Sequence, residues 1–338
     1  MMIVMKPDAT EEQVRHVAER IGSVGARAHI SQGEYVTIVG AIGDDSVIAT
    51  LPLEAMPGVD KVLPILKPYK LVSRQLHPDD TVIDVNGRSL GGGVFALIAG
   101  PCSVESEEQY MRAARQAKAA GASMLRGGAY KPRTSPYSFQ GMREDGLKIM
   151  AQAREETGLP LVTELMDPRD VEIVLRYADV IQIGTRNMQN FNLLSEVGKV
   201  ERPILLKRGM SATVEELLMA AEYVLKEGND KVILCERGIR TFETATRFTL
   251  DLSAIPVIKK SSHLPVVVDP SHATGKRDLV LPLSLASVAV GADGLIVETH
   301  PEPENALCDG SQSLPTDEFA AFAAEIVRYV KMAGKRMS

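Results

Sequence analysis

The stretch that decides the fold is a short apolar run followed by a helical pattern: residues 94–120 read VFALIAGPCSVESEEQYMRAARQAKAA. The apolar run Val94–Ala99 favours a buried strand, and the Gly-Pro pair that follows ends it. From Glu107 to Ala120 apolar residues recur at i, i+3 and i+4, which is typical of an amphipathic helix. This stretch is therefore predicted to form a strand followed by a helix.

The same unit recurs to the end of the chain. Seven further apolar runs are predicted to be strands: Ser123–Leu125, Pro160–Val162, Val180–Ile183, Pro203–Leu206, Lys231–Leu234, Pro265–Val268 and Gly294–Val297. Helical patterns include Glu144–Thr157, Val214–Lys226 and Leu283–Val290, and a last helix is predicted over Asp317–Met332. Eight such units in about 245 residues match a (β/α)8 TIM barrel. A doubly wound open sheet is the alternative, although it seldom runs to eight regular units.

The first 66 residues have a different pattern, which predicts a separate small α+β domain. Its order is a strand, a helix, two strands around the Gln32-Gly33 turn, a helix over Asp44–Leu51 and a last strand over Val59–Ile65. The order β-α-β-β-α-β is ferredoxin-like, or ACT-like. Residues 67–93 contain Pro68, Pro78 and a triple glycine without a clear period. The predicted domains are therefore 1–66, a linker and lead-in at 67–93, and a barrel over 94–338.

Composition and charge exclude several classes of protein. The 338 residues carry 38 Lys and Arg against 44 Asp and Glu, a net charge of −6, which gives no general electrostatic reason to bind nucleic acid or an anionic membrane. No apolar run approaches about 18 residues, so no membrane-spanning helix is expected. The three cysteines lie far apart and form no CxxC pair, which favours a reducing, cytoplasmic environment.

Six cations follow or lie near the predicted strand ends, where the chemistry of a (β/α)8 barrel is found. They are Arg126, Lys131, Arg133, Arg186, Lys207 and Arg237. Any one of them could be a solvated cation that pairs with a nearby carboxylate. Six at successive strand ends of an acidic protein instead favour a binding site, and their number suits ligands that carry two phosphates and a carboxylate.

A second group of strand-end residues predicts a metal site. It combines a thiolate, an imidazole and two carboxylates: Cys102, His272, Glu298 and Asp309. This mixed donor set suits a divalent transition metal such as Mn2+, Fe2+, Co2+ or Zn2+. Each residue alone also has a structural interpretation, but closure of a barrel makes its first and eighth strands neighbours. Cys235 is interpreted as a core residue, and Cys308 as a bystander, with metal binding as its less favoured role.

Seven motifs carry a resemblance to a known family. They are Ala99–Glu105, Leu125–Pro136, Gln182–Asn187, Leu206–Gly209, Cys235–Arg240, Val268–His272 and Ile296–Pro303. From about Tyr69 onward the chain resembles the 3-deoxy-D-arabino-heptulosonate 7-phosphate (DAHP) synthases, the first enzymes of the shikimate pathway, in the branch with an N-terminal ferredoxin-like domain. The 3-deoxy-D-manno-octulosonate 8-phosphate synthases are the alternative, but the Lys131-Pro-Arg-Thr134 loop resembles the heptulosonate enzymes.

The resemblance implies a metal-dependent, aldol-like condensation of phosphoenolpyruvate with erythrose 4-phosphate, which releases phosphate. It assigns phosphoenolpyruvate to a set of five cations: Arg126, Lys131, Arg186, Lys207 and Arg237. Arg133, Thr134 and Ser135 would hold the phosphate of erythrose 4-phosphate. Lys131 would donate a proton, and Glu164 would orient the attacking water. Asp269 would bind an aldose hydroxyl or take part in proton transfer near the metal. His272 is both a metal ligand and one of the catalytic residues.

The resemblance also suggests how the enzyme is controlled and assembled. It implies a homotetramer in which the N-terminal domain senses Tyr or Phe, and His29 and Ser31 are the candidate effector contacts. A role in stability or oligomerisation is the alternative for that domain. A different class of function, a non-catalytic phosphosugar sensor, is disfavoured because sensing needs no Lewis acid beside a carbonyl.

Overall fold

A computed structural model of the chain describes residues 1–33, 35–63, 68–132 and 135–338. The chain forms two compact units. Unit 1 comprises Met1–Asp80 with Lys260–His263, and unit 2 comprises Thr81–Lys259 with Leu264–Ser338. Arg133 and Thr134, two of the predicted phosphate contacts, lie outside the described residues, as does the end of the predicted strand Val59–Ile65. The predicted domain boundaries stay a prediction.

Unit 1 is an antiparallel sheet with the strand order β2-β3-β1-β4. Its elements are β1 (Met2–Met5), α1 (Glu11–Gly22), β2 (Arg27–Gln32), β3 (Thr37–Ile42), α2 (Asp45–Ile48) and β4 (Val59–Leu63). This order is that of a ferredoxin-like fold, so the predicted class of the N-terminal domain is confirmed.

Local sequence explains both helices of unit 1. Thr10 caps α1 in a capping box with Gln13, and the apolar face of the helix, which includes Val17, is buried in the core of the unit. The second helix is shorter than the predicted Asp44–Leu51. The hydroxyl of Thr50 donates to the Val47 carbonyl, and Pro52 has no N–H to continue the helix.

The candidate effector residues lie in the edge strand β2, which continues to Gln32. His29 pairs with Gly40 and Ser31 with Ile38 on β3, so the two side chains share one face of the sheet. A Cβ at Gly40 would lie 2.2 Å from Leu76 Cδ1. Glycine at that position therefore lets Leu76 pack against the sheet beside His29.

Unit 2 is a closed barrel of eight parallel strands within the described residues. The barrel strands are β7 (Val94–Gly100), β8 (Met124–Arg126), β9 (Leu161–Leu165), β10 (Val180–Ile183), β11 (Ile204–Lys207), β12 (Val232–Glu236), β13 (Val266–Val268) and β14 (Gly294–His300). A hairpin of β5 (Ile83–Val85) and β6 (Arg88–Leu90) precedes them. Pairing of β14 with β7 closes the ring, which confirms the predicted TIM barrel.

Helices and two short strands surround the barrel. The helices of this part of the chain are α3 (Glu107–Ala119), α4 (Glu144–Thr157), α5 (Val171–Leu175), α6 (Phe191–Gly198), α7 (Val214–Glu227), α8 (Ala254–Ser261), α9 (Pro270–Thr274), α10 (Val280–Ala289) and α11 (Phe319–Met332). β15 (Leu314–Pro315) pairs with β14, and β16 (Arg336–Met337) pairs with β7. None of the described helices combines the length and the apolar character needed to cross a bilayer.

The barrel interior is apolar, and the hairpin contributes to it. Alternate strand residues such as Ile98, Ile233 and Cys235 form one buried cluster with Val85 and Leu90 of the hairpin. The prediction that Cys235 is a core residue is confirmed. The hairpin turn at residues 86 and 87 has positive φ angles of 51° and 81°, which the Asn-Gly pair tolerates.

Several strands extend further than the apolar runs predicted. Glu164, Lys207, Glu236 and Glu298 were expected after their strands, but each lies within the strand ladder. Their polarity ended the apolar pattern without ending the hydrogen bonding of the strand. The consequence is that the pleat of the sheet fixes the direction of each of these side chains.

Candidate active site

The candidate metal ligands meet at the C-terminal end of the barrel. Cys102, His272, Glu298 and Asp309 each offer one ligand atom, and these atoms all lie within 4.8 Å of one another. Cys102 Sγ is 3.2 Å from Asp309 Oδ2, and His272 Nε2 is 3.2 Å from Glu298 Oε1. One sulfur, one imidazole nitrogen and two carboxylates therefore surround a single point, which is a donor set that fits a divalent transition metal.

A tight loop after β14 positions Asp309. The residue has a φ of 55°, in the left-handed region, and its carbonyl accepts a hydrogen bond from the hydroxyl of Ser313. A Cβ on the following Gly310 would lie 2.1 Å from the carbonyl oxygen of Pro303. The loop thus closes on itself through a glycine, and Arg247 Nη1 holds the second carboxylate oxygen of Asp309 at 3.2 Å.

Asp269 orients the imidazole of His272. Its Oδ2 lies 2.7 Å from His272 Nδ1 and also accepts a hydrogen bond from Lys207, while its Oδ1 accepts the backbone N–H of His272. Burial alone would raise the pKa of Asp269, but the charges of His272 and Lys207 outweigh it and hold that pKa well below its usual value. The carboxylate fixes Nδ1 as the bonded nitrogen and directs Nε2 towards Glu298 and Asp309.

Lys131 lies against the sulfur of the cluster. Its Nζ donates to the backbone carbonyl of Cys102 at 2.8 Å and lies 3.0 Å from Cys102 Sγ. Gly128 makes room for it, because a Cβ there would lie 2.8 Å from the Cδ of Lys131. Burial lowers the pKa of Lys131, but the charges of Cys102 and Cys308 raise it above its ordinary value.

Arg126 joins the cation group to the carboxylates. Its Nη1 donates to Glu298 Oε1 at 2.9 Å and to the carbonyl of Pro101 at 2.9 Å. Burial of Glu298 would raise the pKa of that carboxyl, but His272 and Arg126 hold it below its ordinary value. Glu298 is therefore an anion inside the barrel mouth, with a fixed cation beside it.

Arg237 is a buried cation with unused donors. It is 4% exposed, its guanidinium lies 4.3 Å from the ring centroid of Phe248, and Nη2 donates to the His272 carbonyl at 3.4 Å. Its Nε and Nη1 are buried and have no hydrogen-bond partner among the residues that the structure describes. Burial also lowers the pKa of Arg237. A buried guanidinium in this state is stabilised by an anionic ligand.

The neighbouring Arg208 is fully paired instead. Its Nη1 donates to Glu236 Oε2 and to Asp251 Oδ2, both at 2.8 Å. Alternate residues of a strand face opposite sides, so Lys207 and Arg237 point into the barrel mouth while Arg208 and Glu236 point outward. The strand alternation therefore separates the ion pairs of the scaffold from the cations of the site.

These side chains line a cavity of 320 Å³ at the barrel mouth. Of the predicted site residues, the cavity is lined by Arg126, Lys131, Ser135, Glu164, Arg186, Lys207, Arg237, His272 and Asp309. Arg186 and Ser135 are exposed, whereas Glu164 is half-buried and accepts a hydrogen bond from Gln182 Nε2 at 3.4 Å. A Cβ at Gly184 would lie 1.9 Å from Glu164 Oε1, so that glycine gives the carboxylate its place.

Sequence matches identify the family. Residues 80–333 match the DAHP synthetase I family, and residues 1–67 match the DAHP synthase ferredoxin-like domain. The chain is 52% identical to the phospho-2-dehydro-3-deoxyheptonate aldolase of Thermotoga maritima over 338 residues, with 100% of each chain covered. The chain belongs to the DAHP synthetase I family. It is an enzyme of the DAHP synthase type.

Solved structures agree with this assignment, and a second group of relatives has a different name. The crystal structure of the Thermotoga maritima DAHP synthase has a TM-score of 0.80 and covers 100% of this chain and 99% of its own. A truncated form of that enzyme, 51% identical, has a TM-score of 0.75 and covers 80% of this chain and 99% of its own. The 2-dehydro-3-deoxyphosphooctonate aldolase of Syntrophotalea carbinolica is 34% identical over 246 residues, 68% of this chain and 88% of its own.

The structure adds residues to this DAHP synthase site that sequence reasoning missed. Gln312 donates to Glu298 Oε2 at 2.5 Å, Arg247 holds Asp309, and Phe248 packs on Arg237. All three come from loops, at positions that no strand-end rule indicates. Cys308, interpreted as a bystander, lines the cavity with its sulfur 3.4 Å from Cys102 Sγ.

The Asp309 carboxylate predicts a pH dependence of stability in the metal-free DAHP synthase. Burial would raise its pKa, but His272 and the other neighbours lower it to about 2. Because the folded pKa lies below the unfolded value of about 3.9, the stabilisation is present above pH 4 and is lost as the pH falls towards 2. We expect the Asp309 carboxylate to contribute about 2 kcal/mol to the free energy of unfolding at neutral pH. Urea unfolding in the presence of a chelator at pH 6, 4 and 3 should show that Asp309→Asn is less stable than the wild type at pH 6. This difference in the free energy of unfolding should shrink as the pH falls.

The matched control is Asp317→Asn, which removes an exposed carboxylate outside the cavity. It should follow the wild-type curve at every pH. A deficit of Asp309→Asn that is the same at all three pH values would contradict the assignment of the lowered pKa to this carboxylate.

Proposed function

We propose that this enzyme catalyses the metal-dependent condensation of phosphoenolpyruvate with erythrose 4-phosphate to DAHP and phosphate. The third carbon of phosphoenolpyruvate attacks the aldehyde carbon, water adds at the second carbon, and the bond between that carbon and the phosphate oxygen breaks. The observation that carries the proposal is a cavity in which buried cations adjoin a Cys-His-Glu-Asp cluster, in a chain 52% identical over its full length to a phospho-2-dehydro-3-deoxyheptonate aldolase.

The ligand atoms of Cys102, His272, Glu298 and Asp309 are proposed to hold the metal. The donor set supports Mn2+, Fe2+, Co2+ or Zn2+. A bound divalent ion would supply Lewis-acid polarisation of the aldehyde oxygen. Asp269 and Arg126 do the positioning, since the first holds the imidazole of His272 and the second holds Glu298.

Phosphoenolpyruvate is proposed to bind the five cations Arg126, Lys131, Arg186, Lys207 and Arg237. The unused, buried Nε and Nη1 donors of Arg237 support this, because each can donate a charge-assisted hydrogen bond to an anionic group of the substrate. Four of the five are less than 8% exposed, so they interact with an anion in a poorly solvated site. Fixed cations of this kind also hold the nucleophile in attack geometry.

The aldose phosphate is proposed to bind Arg133, Thr134 and Ser135. Ser135 lines the cavity at its exposed side, and Lys131 precedes this group in the chain. A substrate held between Lys131 and Ser135 would have its aldehyde directed inward and its phosphate outward.

Lys131, Glu164 and Asp269 are proposed to divide the proton chemistry. Lys131 Nζ lies 3.0 Å from Cys102 Sγ, so its ammonium is placed to donate a proton beside this metal ligand. Glu164 would orient the attacking water, with Gln182 holding its carboxylate. Both oxygens of Asp269 already accept hydrogen bonds, which supports a role in orienting His272 and Lys207 over direct contact with the aldose.

The wider role follows from the reaction. The product is the first intermediate of the shikimate pathway, so we propose feedback inhibition by Tyr or Phe at the N-terminal ferredoxin-like domain, in a cytoplasmic homotetramer. His29 and Ser31 share one half-buried face of an edge strand, which supports them as effector contacts. The effector would act by binding one arrangement of the domains more tightly than another.

The first experiment tests the metal and the aldose together. Phosphoenolpyruvate consumption is followed with erythrose 4-phosphate and with arabinose 5-phosphate, with and without EDTA. We expect turnover with erythrose 4-phosphate, loss in EDTA and recovery with Mn2+. Cys102→Ala removes the thiolate and should abolish metal-dependent turnover, with Cys235→Ala, a core cysteine, as the control. Full activity in EDTA would exclude the metal, and preference for arabinose 5-phosphate would favour the octulosonate relatives.

A second experiment tests the cations. Arg237→Ala removes the guanidinium with the unused donors and should raise the phosphoenolpyruvate KM by at least about tenfold, because charge-assisted hydrogen bonds to the substrate are lost. Arg240→Ala, in the same loop but exposed, is the matched control and should leave it unchanged. Arg133→Ala should raise mainly the aldose KM. An unchanged phosphoenolpyruvate KM in Arg237→Ala would contradict the assignment.

A third experiment tests feedback control. A chain that begins near Lys67 should keep its activity and lose inhibition by Tyr and Phe, because the catalytic side chains all come from unit 2. The solved truncated form of the Thermotoga maritima enzyme, which covers 80% of this chain, supports the choice of boundary. His29→Ala in the full chain should weaken inhibition without changing turnover. A full-length enzyme indifferent to both amino acids at millimolar concentration would leave the N-terminal domain a structural role.

A further inference from the structure

A second thiol lies at the proposed metal centre. Cys308 is 5% exposed, lines the cavity, and places its Sγ 3.4 Å from Cys102 Sγ and 3.7 Å from Asp309 Oδ2. It belongs to the same loop as Asp309 and precedes it directly. The four proposed ligands leave this sulfur unassigned.

The distances around Cys308 are those of atoms that share one ion. Around a tetrahedral ion with metal–sulfur bonds of about 2.3 Å and metal–oxygen bonds of about 2.1 Å, two sulfurs lie about 3.8 Å apart and a sulfur and an oxygen about 3.6 Å apart. The three separations among Cys102 Sγ, Cys308 Sγ and Asp309 Oδ2 are 3.4, 3.7 and 3.2 Å. Each is within about 0.5 Å of its tetrahedral value.

Other contacts at the centre favour exchange of one ligand. Glu298, the fourth proposed ligand, already accepts hydrogen bonds from Arg126 at 2.9 Å and from Gln312 at 2.5 Å. Glu298 can therefore keep its negative charge and its hydrogen bonds when it does not bind the metal ion. Lys131 Nζ, 3.0 Å from Cys102 Sγ, supplies positive charge beside the sulfur pair. This charge offsets part of the negative charge that a second thiolate would add.

We propose that Cys308 is a second sulfur ligand, which gives the site an alternative set, Cys102, Cys308, His272 and Asp309, for thiophilic divalent ions. This inference rests on the proposed metal centre. Soft thiolates select zinc and cadmium over manganese, because manganese prefers carboxylate and water oxygens. The identity of residue 308 therefore tunes which ion the enzyme retains, while the original set with Glu298 serves the harder ions.

The test uses Co2+ as a spectroscopic probe of the full chain, stripped with chelator and kept reduced. Cobalt–thiolate bonds absorb in the near ultraviolet with an intensity that rises with the number of sulfur ligands, and the visible bands report bound, low-coordinate cobalt independently. Cys308→Ser should lower the near-ultraviolet absorbance per bound cobalt by about half, since one of two cobalt–sulfur bonds is lost. Cys235→Ala, which removes the core cysteine, is the matched control and should leave both bands unchanged.

Affinity gives a second readout that does not depend on turnover. Competition titrations should show Cys308→Ser binding Cd2+ about tenfold or more weakly, with Mn2+ affinity changed by less than about threefold. Equal near-ultraviolet absorbance in wild type and Cys308→Ser, with the visible bands present, would overturn the inference and leave the four-ligand centre intact. Absence of both bands in the wild type would overturn the centre itself and the inference with it.

Discussion

The pairing of the first and last barrel strands is the constraint on which the rest of the site depends. β14 lies in parallel register beside β7, with Glu298 opposite Gly100. Because Cys102 follows Gly100 by two residues, the register that closes the barrel also brings the thiol to the carboxylate. Gly100 also permits the close approach of β7 to its other neighbour β8, since a Cβ there would lie 2.1 Å from the carbonyl oxygen of Arg126. One glycine therefore lets β7, the strand that leads to Cys102, approach the strand that carries Arg126.

Whether a feature of the fold or the site could be predicted depends on the signal that its residues leave in the sequence. Strand ends leave a strong signal, so the apolar runs predicted the barrel and the meeting of Cys102, Glu298 and His272 at one end of it. Loop contacts leave no such signal, because Gln312 and Arg247 lie in segments whose sequence has neither helical nor strand periodicity. The N-terminal fold was predictable from its order of elements. The length of α2 was overestimated, because local hydrogen bonds such as that of Thr50 compete with those of the helix.

Cys308 shows the same limit within one residue type. Sequence reasoning placed Cys235 in the core correctly, because it lies inside an apolar run. For Cys308 only the neighbouring Asp309 was available, and adjacency along a chain does not fix the direction of a side chain. The left-handed backbone at Asp309 turns the loop so that both side chains approach Cys102, at 3.4 and 3.2 Å.

Asp269 finally joins the two halves of the site into one electrostatic unit. A single carboxylate oxygen of Asp269 bonds to the imidazole of His272 and to the ammonium of Lys207, so a change in one of these hydrogen bonds affects the other. An anionic substrate that draws Lys207 away would leave more of the carboxylate charge on His272 and make its Nε2 a stronger donor to a metal. The proposed binding of phosphoenolpyruvate by the cations would in this way strengthen the metal centre, through two hydrogen bonds to one oxygen.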